Sequence, residues 1–277
     1  MYTEITTNIL VFVVKKSVTP NRILSISALA LLIPIAVISA ITLSQTKNVA
    51  STVTFTPEPT TTPVVKEIVG SWSLSEKSGK VAKDSSFRNH SGTIMGSGSF
   101  VKDKKGYWVY KQTPTTNNYI NLGDIADFEL QTFTISAWVK LDGPCNSFKY
   151  CGIFSKGSSG NMGYGMGIRR ELGYKLELGI NDKQYVRSIT PITTGVWHHV
   201  AATVGNNAVI LYIDGVLDTK VEQIVKPRYG NESAKIGNQN DKNDLQFNGS
   251  ISDVSIYNYA LTLNDINVIY LKLNSRY

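Results

Sequence analysis

His198 and His199 are adjacent in this 277-residue chain, and a metal held between them is the first chemistry to weigh. They lie in a run, Trp197–Val204, that alternates as a strand, and strand neighbours point to opposite faces. Such a pair does not readily grip one ion, so separate structural hydrogen bonds are expected. With three His and two Cys in all, zinc fingers, zinc ribbons and iron–sulfur clusters are excluded. No Ser/His/Asp arrangement stands out, since the remaining His lies in an early loop. Asp124, Asp127 and Glu129 form an acidic cluster, but Gly123 and the polar context read as a loop ahead of a strand at Phe133. Catalysis is not expected from it.

Other residues suit binding. Phe133, Ile135, Ala137 and Val139 share one face of a strand, which puts Trp138 with Thr134, Ser136 and Lys140 on the other unless a bulge intervenes. Two readings stay open for Trp138: an indole that floors a ligand groove, or one covered by a loop or by the preceding stalk. Tyr185 and Arg187 alternate on a polar strand and are candidates for ligand contact. The glycine-rich Lys156–Gly167 segment has no phosphate-binding pattern. Cys145 and Cys151 lie six apart; outside the cytoplasm they are expected to be oxidised to a bridge, the alternative being two buried free thiols.

The elements that must hold these residues are strands. From Ile68 onward short alternating segments recur with turn signals between them, as in a two-sheet antiparallel sandwich. Among them are Phe133–Leu141, Tyr164–Arg170, Tyr174–Ile180, Gln184–Ile189, Ala208–Ile213, Val216–Ile224 and Gln246–Tyr257. Asp214-Gly215 reads as a two-residue hairpin turn, because type I′ needs φ > 0 twice. Ala208–Ile213 is apolar on both faces and is expected to be a central strand. One helix is predicted, capped by Thr262 and Asp265, with Leu263, Ile266, Ile269, Tyr270 and Leu273 on one stripe. Residues 67–277 make one domain.

The front of the chain differs. Ile23–Leu43 carries no charge over 21 residues, about 30 Å as a helix and thus the thickness of a bilayer core. Lys15, Lys16 and Arg22 precede it, so residues 1–22 are expected in the cytoplasm and everything after Leu43 outside it. Residues 23–43 read as a single-pass transmembrane signal-anchor, with a cleaved signal peptide as the alternative. Residues 44–66, rich in Thr, Ser and Pro, read as a semi-rigid stalk. Of the net charge of +7, +3 belongs to residues 1–66, where five basic side chains face two acidic ones. The small remaining excess is spread singly, which argues against a nucleic-acid surface.

Several runs in order resemble the laminin-G-like (LamG-like) jelly rolls of the concanavalin A-like lectin/glucanase superfamily. They are Ser71–Glu76 with Asp84-Ser85-Ser86, then Phe133–Lys140, Gly195–Ala201, Leu211–Gly215, and Phe247–Asn258 with Ala260-Leu261-Thr262. The resemblance implies an all-β jelly roll with one short C-terminal helix, used for binding, adhesion or accessory roles. It also implies a structural calcium between the early Asp loop and the last long strand, which nominates Asp84 and Asp253 with carbonyls near Asn89–Ser91. The other reading is a turn cap at Asp84 and an exposed strand face at Asp253. Phe87-Arg88 stands where the family has a glycine, so the first loop departs from the pattern. Retaining glycosidases on this fold place two carboxylates about 5 Å apart, usually from a Glu-x-Asp-x-x-Glu strand, which this chain lacks. The expected function is a membrane-anchored binding module for carbohydrate or a glycosylated surface partner; the alternative is an adhesive protein–protein module without a sugar site.

Overall fold

The computed structural model describes residues 65–115, 117–145, 150–158, 160–239 and 245–277. The expected cytoplasmic segment 1–22, membrane helix 23–43 and nearly all of the stalk 44–66 lie outside these residues. Among the described residues no helix is long and apolar enough to cross a membrane.

Among the described residues sixteen strands and one α-helix follow in chain order. Strands β1 (Ile68–Trp72), β2 (Val81–Ala82), β3 (Gly92–Met95), β4 (Ser99–Lys102), β5 (Trp108–Gln112) and β6 (Tyr119–Gly123) are short. The middle of the domain carries β7 (Phe133–Leu141), β8 (Tyr150–Ser158), β9 (Asn161–Arg169), β10 (Lys175–Ile180) and β11 (Gln184–Pro191). Then come β12 (Trp197–Gly205), β13 (Ala208–Ile213), β14 (Val216–Glu222), β15 (Ala234–Ile236), β16 (Gly249–Tyr257) and α1 (Leu263–Asn274).

They form two antiparallel sheets. Sheet A has the order β14-β13-β12-β7-β16-β5-β4, with β1 also on β16; sheet B has the order β11-β10-β9-β8-β15-β6-β3-β2. The predicted sandwich is therefore observed. Strands β2, β3, β4 and β15, unforeseen from the sequence, have two to four residues each, too few to show a period.

Between the sheets the core is aromatic. Phe133 of β7 stacks on Tyr164 of β9 with ring centroids 4.1 Å apart, and Phe128 and Phe154 meet edge to face. Trp72 is fully buried and donates its indole N–H to the His90 carbonyl at 2.9 Å. That bond meets the requirement that a buried polar group find a partner.

Local signals are realised in detail. Asp214 and Gly215 both have positive φ, 50° and 77°, which gives the β13–β14 turn the twist of the primed hairpin class. Strand β13 is paired on both sides, one place in from the sheet edge. Its second apolar face is used because α1 packs there: Ala201, Tyr212, Leu261 and Ile266 form a separate small core. The Thr262 hydroxyl accepts from Asp265 N–H while the Asp265 carboxylate accepts from Thr262 N–H, a reciprocal cap. Cys145 and Cys151 are joined in a disulfide with Cα atoms 5.5 Å apart.

Two stability outcomes follow. Thr262→Ala, which removes one half of the cap, is expected to cost about 1 kcal/mol and lower Tm by about 2–4 °C in a scanning melt. Reducing the disulfide frees a short loop and is expected to cost about 2 kcal/mol; an unchanged melt under reductant would contradict that cross-link.

Candidate functional site

The outer face of sheet A is closed over Trp138. Trp138 does lie on that face, in regular register opposite His199 of β12, with no bulge between these strands. It is 2% exposed, however, because Tyr277 stacks on it at 4.4 Å and Tyr270 at 5.7 Å. The expectation of an open ring for ligand stacking at Trp138 is therefore corrected: α1 and the residues after it take that surface. The two histidines make separate bonds. His198 Nδ1 pairs with Asp214 at 2.8 Å, and His199 Nε2 meets Ser136 Oγ at 2.9 Å. Burial drives the His199 imidazole down to about 4, against the weaker opposing pull of Asp214.

Both carboxylates of the calcium expectation, Asp84 and Asp253, have hydrogen-bond partners within the chain. Asp84 Oδ1 accepts from Ser71 N–H and Ser86 N–H, both at 2.8 Å; Oδ2 accepts from Ser86 Oγ at 2.6 Å and His90 N–H at 2.7 Å. A carboxylate has about four acceptor sites, and all four here face hydrogens rather than a cation. Burial raises the Asp84 pKa, but these bonds outweigh it and leave the group below its ordinary value. Asp253 is held by Arg276 at 3.1 Å and by the Tyr277 hydroxyl. Burial raises its pKa despite both partners. Asp84 is thus a loop cap, and Asp253 anchors the residues after α1.

Sheet B leaves its outer face partly open, at the β10–β11 edge. Asn181-Asp182-Lys183 makes the turn between these strands and pairs Ile180 with Gln184, which sets Glu177 opposite Arg187 and Gly179 opposite Tyr185. Glu177 is 1% exposed, and its two oxygens receive Arg169 Nη2 and Arg187 Nε, both at 2.6 Å. Arg169 in turn lies over the Tyr150 ring at 4.9 Å. Burial opposes the Arg169 charge, yet Glu177 holds its pKa above the ordinary value. Arg187 keeps 43% of its side chain in solvent and Tyr185 is 38% exposed.

Glycines floor this face. A Cβ on Gly167 would lie 2.5 Å from the Tyr150 ring, and one on Gly179 would lie 3.1 Å from the Tyr185 ring. Both rings therefore approach the strands this closely only because these positions carry no side chain. The face continues from Tyr185 to Asp182, whose Oδ2 accepts from Gly160 and Met162 N–H. Beyond them a polar cleft of about 370 Å³ is lined by Asn161, Asn181, Asp182, Lys183, Arg228 and Tyr229.

Tyr185 and Arg187 are thus brought together with Glu177, Arg169 and Tyr150, three residues not singled out from the sequence. The three-residue turn was the signal available for Glu177, because it fixes the pairing of 177 with 187. The acidic cluster before β7 is dispersed onto separate partners. Asp124 and Glu129 face buried Lys156 at 2.5 and 3.8 Å, and Asp127 pairs with His90 at 2.9 Å. Among the described residues no group of three or more His, Cys, Asp or Glu side chains is arranged to hold a metal.

A family model described as the concanavalin A-like lectin/glucanases superfamily matches residues 114–267. No curated protein matches. Among solved structures, domain 4 of an extracellular GH43 arabinanase from Geobacillus stearothermophilus, in complex with arabinotriose, has a TM-score of 0.57 at 22% identity. That match covers 74% of this chain and 98% of the other. The binding domain of Paraclostridial Mosquitocidal Protein 1 gives 0.58 at 17%, covering 74% and 52%. A Trypanosoma rangeli sialidase in complex with the inhibitor DANA gives 0.53 at 16%, covering 74% and 32%. At these identities the likeness is one of fold.

The buried histidine and the capped aspartate give separate acid windows. His199 is neutral when folded but has an ordinary value near 6.5 when unfolded, so the unfolded chain binds the extra proton as pH falls. Stability from this group is full above about 6.5 and lost toward about 4, by roughly 3 kcal/mol in all. Asp84, shifted down, loses its contribution only as pH falls below about 4. Urea melts across pH 7 to 3 should show both, and His199→Gln should flatten the upper window alone. Chelation separates the two readings of Asp84: a lowered Tm makes it a calcium ligand, and an unchanged Tm leaves it a loop cap alone.

Proposed function

We propose that this chain, which belongs to the concanavalin A-like lectin/glucanase superfamily, is a carbohydrate-binding module whose ligand lies on the outer face of sheet B. The observation that carries the reading is the exposed Tyr185–Arg187 pair above a glycine floor. A flat phenol offers a stacking surface to a sugar's C–H face, and a guanidinium offers N–H donors to its hydroxyls. The Asp182 cleft next to Tyr185 supplies further polar groups at sugar scale. Two neighbours of the same fold support it: one is in complex with arabinotriose and another is a binding domain. Glu177 is clamped between two guanidinium groups, so it serves as a positioning residue for both arginines rather than as a proton donor.

Residues 23–43 are proposed to anchor the module in a membrane, with residues 44–66 as its spacer and a glycosylated surface partner as its natural target. Carbonate washing of membranes from expressing cells should leave the full chain in the pellet; release into the wash would remove the anchor. An adhesive protein–protein role has one observation in its favour, the apolar cleft of about 610 Å³ lined by Val216, Leu217 and Leu263.

The full chain applied to a glycan array is expected to bind at least one oligosaccharide. Tyr185→Ala should weaken that binding about tenfold, equivalent to about 1.4 kcal/mol, with little change in Tm because the ring is exposed. Binding indifferent to both Tyr185→Ala and Arg187→Ala would move the site elsewhere. Absence of any glycan binding together with self-association would favour the adhesive role.

A further inference from the structure

Lysines from two distant parts of the chain meet at one end of the outer face of sheet A. Lys104 and Lys105 lie on the turn between β4 and β5, and Lys140 lies on β7. With Asp103 and Trp197 they line a groove of about 230 Å³. Lys140 is directly opposite Trp197 in the β7–β12 register, and its ammonium lies 5.6 Å over the indole. Tyr277 meets the same indole at 4.7 Å, so this wall of the groove is held by packing. The carboxylates nearby are engaged elsewhere. Asp103 Oδ1 accepts from Lys105 and Tyr107 N–H and so holds the turn; Asp142 pairs with Lys111, and Asp253 with Arg276. Among the described residues none of the three groove ammonium groups has an ion-pair partner. Three cations thus face one carboxylate around a small concave space, an arrangement that concentrates positive potential and that an entering anion would relieve.

We propose that this groove is an anion site for a tetrahedral oxyanion, a phosphate or sulfate group, with Lys104, Lys105 and Lys140 as its ligands. The choice of cation selects the anion. An ammonium is a compact charge with three rotatable donors, suited to oxygens spread around a tetrahedral centre, whereas a planar carboxylate is matched by the fork of a guanidinium. The nearest guanidinium, Arg276, is already spent on Asp253 and the Trp108 carbonyl. The group can arrive as a free ion or as an ester on a saccharide. The groove runs on past the lysines to Trp197, which leaves room for a sugar ring bearing the ester. The site is on the opposite sheet from Tyr185 and Arg187 and does not depend on that face binding anything.

The test uses the full chain with Tyr185→Ala and Arg187→Ala, so that sheet B is read apart. The probes are inorganic phosphate, inorganic sulfate, and a sulfated and a phosphorylated oligosaccharide, each beside its ester-free form; binding is read by calorimetry and tryptophan emission. At least one ester-bearing oligosaccharide is expected to bind about tenfold or more tighter than its ester-free form, and to weaken about tenfold between about 50 and 500 mM NaCl as exposed charges are screened. Lys104→Gln/Lys105→Gln/Lys140→Gln should abolish this binding. Lys77→Gln/Lys83→Gln/Lys220→Gln removes the same charge from exposed positions outside the groove and should retain it. An inorganic ion that binds as tightly as the esters assigns the groove to the free oxyanion. No binding of any phosphate or sulfate probe, or equal loss in the two triple variants, would overturn the site, the second because net charge alone would then account for the effect.

Discussion

Covering Trp138 is the constraint from which the rest of the arrangement follows. Period-two alternation along β7 sends Phe133, Ile135, Ala137 and Val139 into the core, and so sends a bulky indole to the outside of sheet A. A large apolar ring on an outer face must be buried or be used by a ligand. Here α1 and Arg276–Tyr277 bury it, with Tyr270 and Tyr277 stacked on it and Ile266 seated against Ala201 and Tyr212. Asp253 fixes the end of that cover through Arg276 and Tyr277. With Trp138 roofed in this way, the open surface that carries Tyr185 and Arg187 is the β10–β11 edge of sheet B.

On sheet B the organising group is a buried charge. Removing a carboxylate from water is costly, and Glu177 is tolerable only because two guanidinium groups approach it at 2.6 Å. Such a cluster adds little net stability compared with an apolar substitute, but it does fix geometry. It ties β9, β10 and β11 in one row and turns Arg187 so that nearly half of its side chain faces solvent. The ligand-facing residues are thereby held on strands rather than on loops, and a rigid platform loses less entropy when it binds. Asp218 of β14 accepts from Ile189 and Thr190 N–H, so the open edge of β11 is also tied to sheet A.

Much of the fold was legible from local patterns. The span of β7, the whole of β13, the Asp214-Gly215 turn and the Thr262–Asp265 cap agree with the sequence reading, because each depends on residues within one turn or one strand. Tyr185 and Arg187 were legible as a polar alternation, and the disulfide as two close cysteines. Glu177 and Arg169 were not. Their strands read as ordinary apolar segments, and what they do depends on which strand lies opposite. Asp84 and Asp253 were nominated by resemblance; the partners they have here, mainly backbone N–H groups for Asp84 and the Arg276 and Tyr277 side chains for Asp253, come from parts of the chain that no local pattern links to them.

The division is physical. By itself the sequence determined the sandwich, the helix and its cap, and the face of β7 on which Trp138 lies, since alternation and capping are local and each residue's type is enough. Only the tertiary structure decided whether that face was open, because the rings that close it come from residues 270 and 277, more than 130 positions away along the chain. The same holds for the pairing that makes Glu177 a clamp, where contact across strands rather than adjacency along one of them assigns the role.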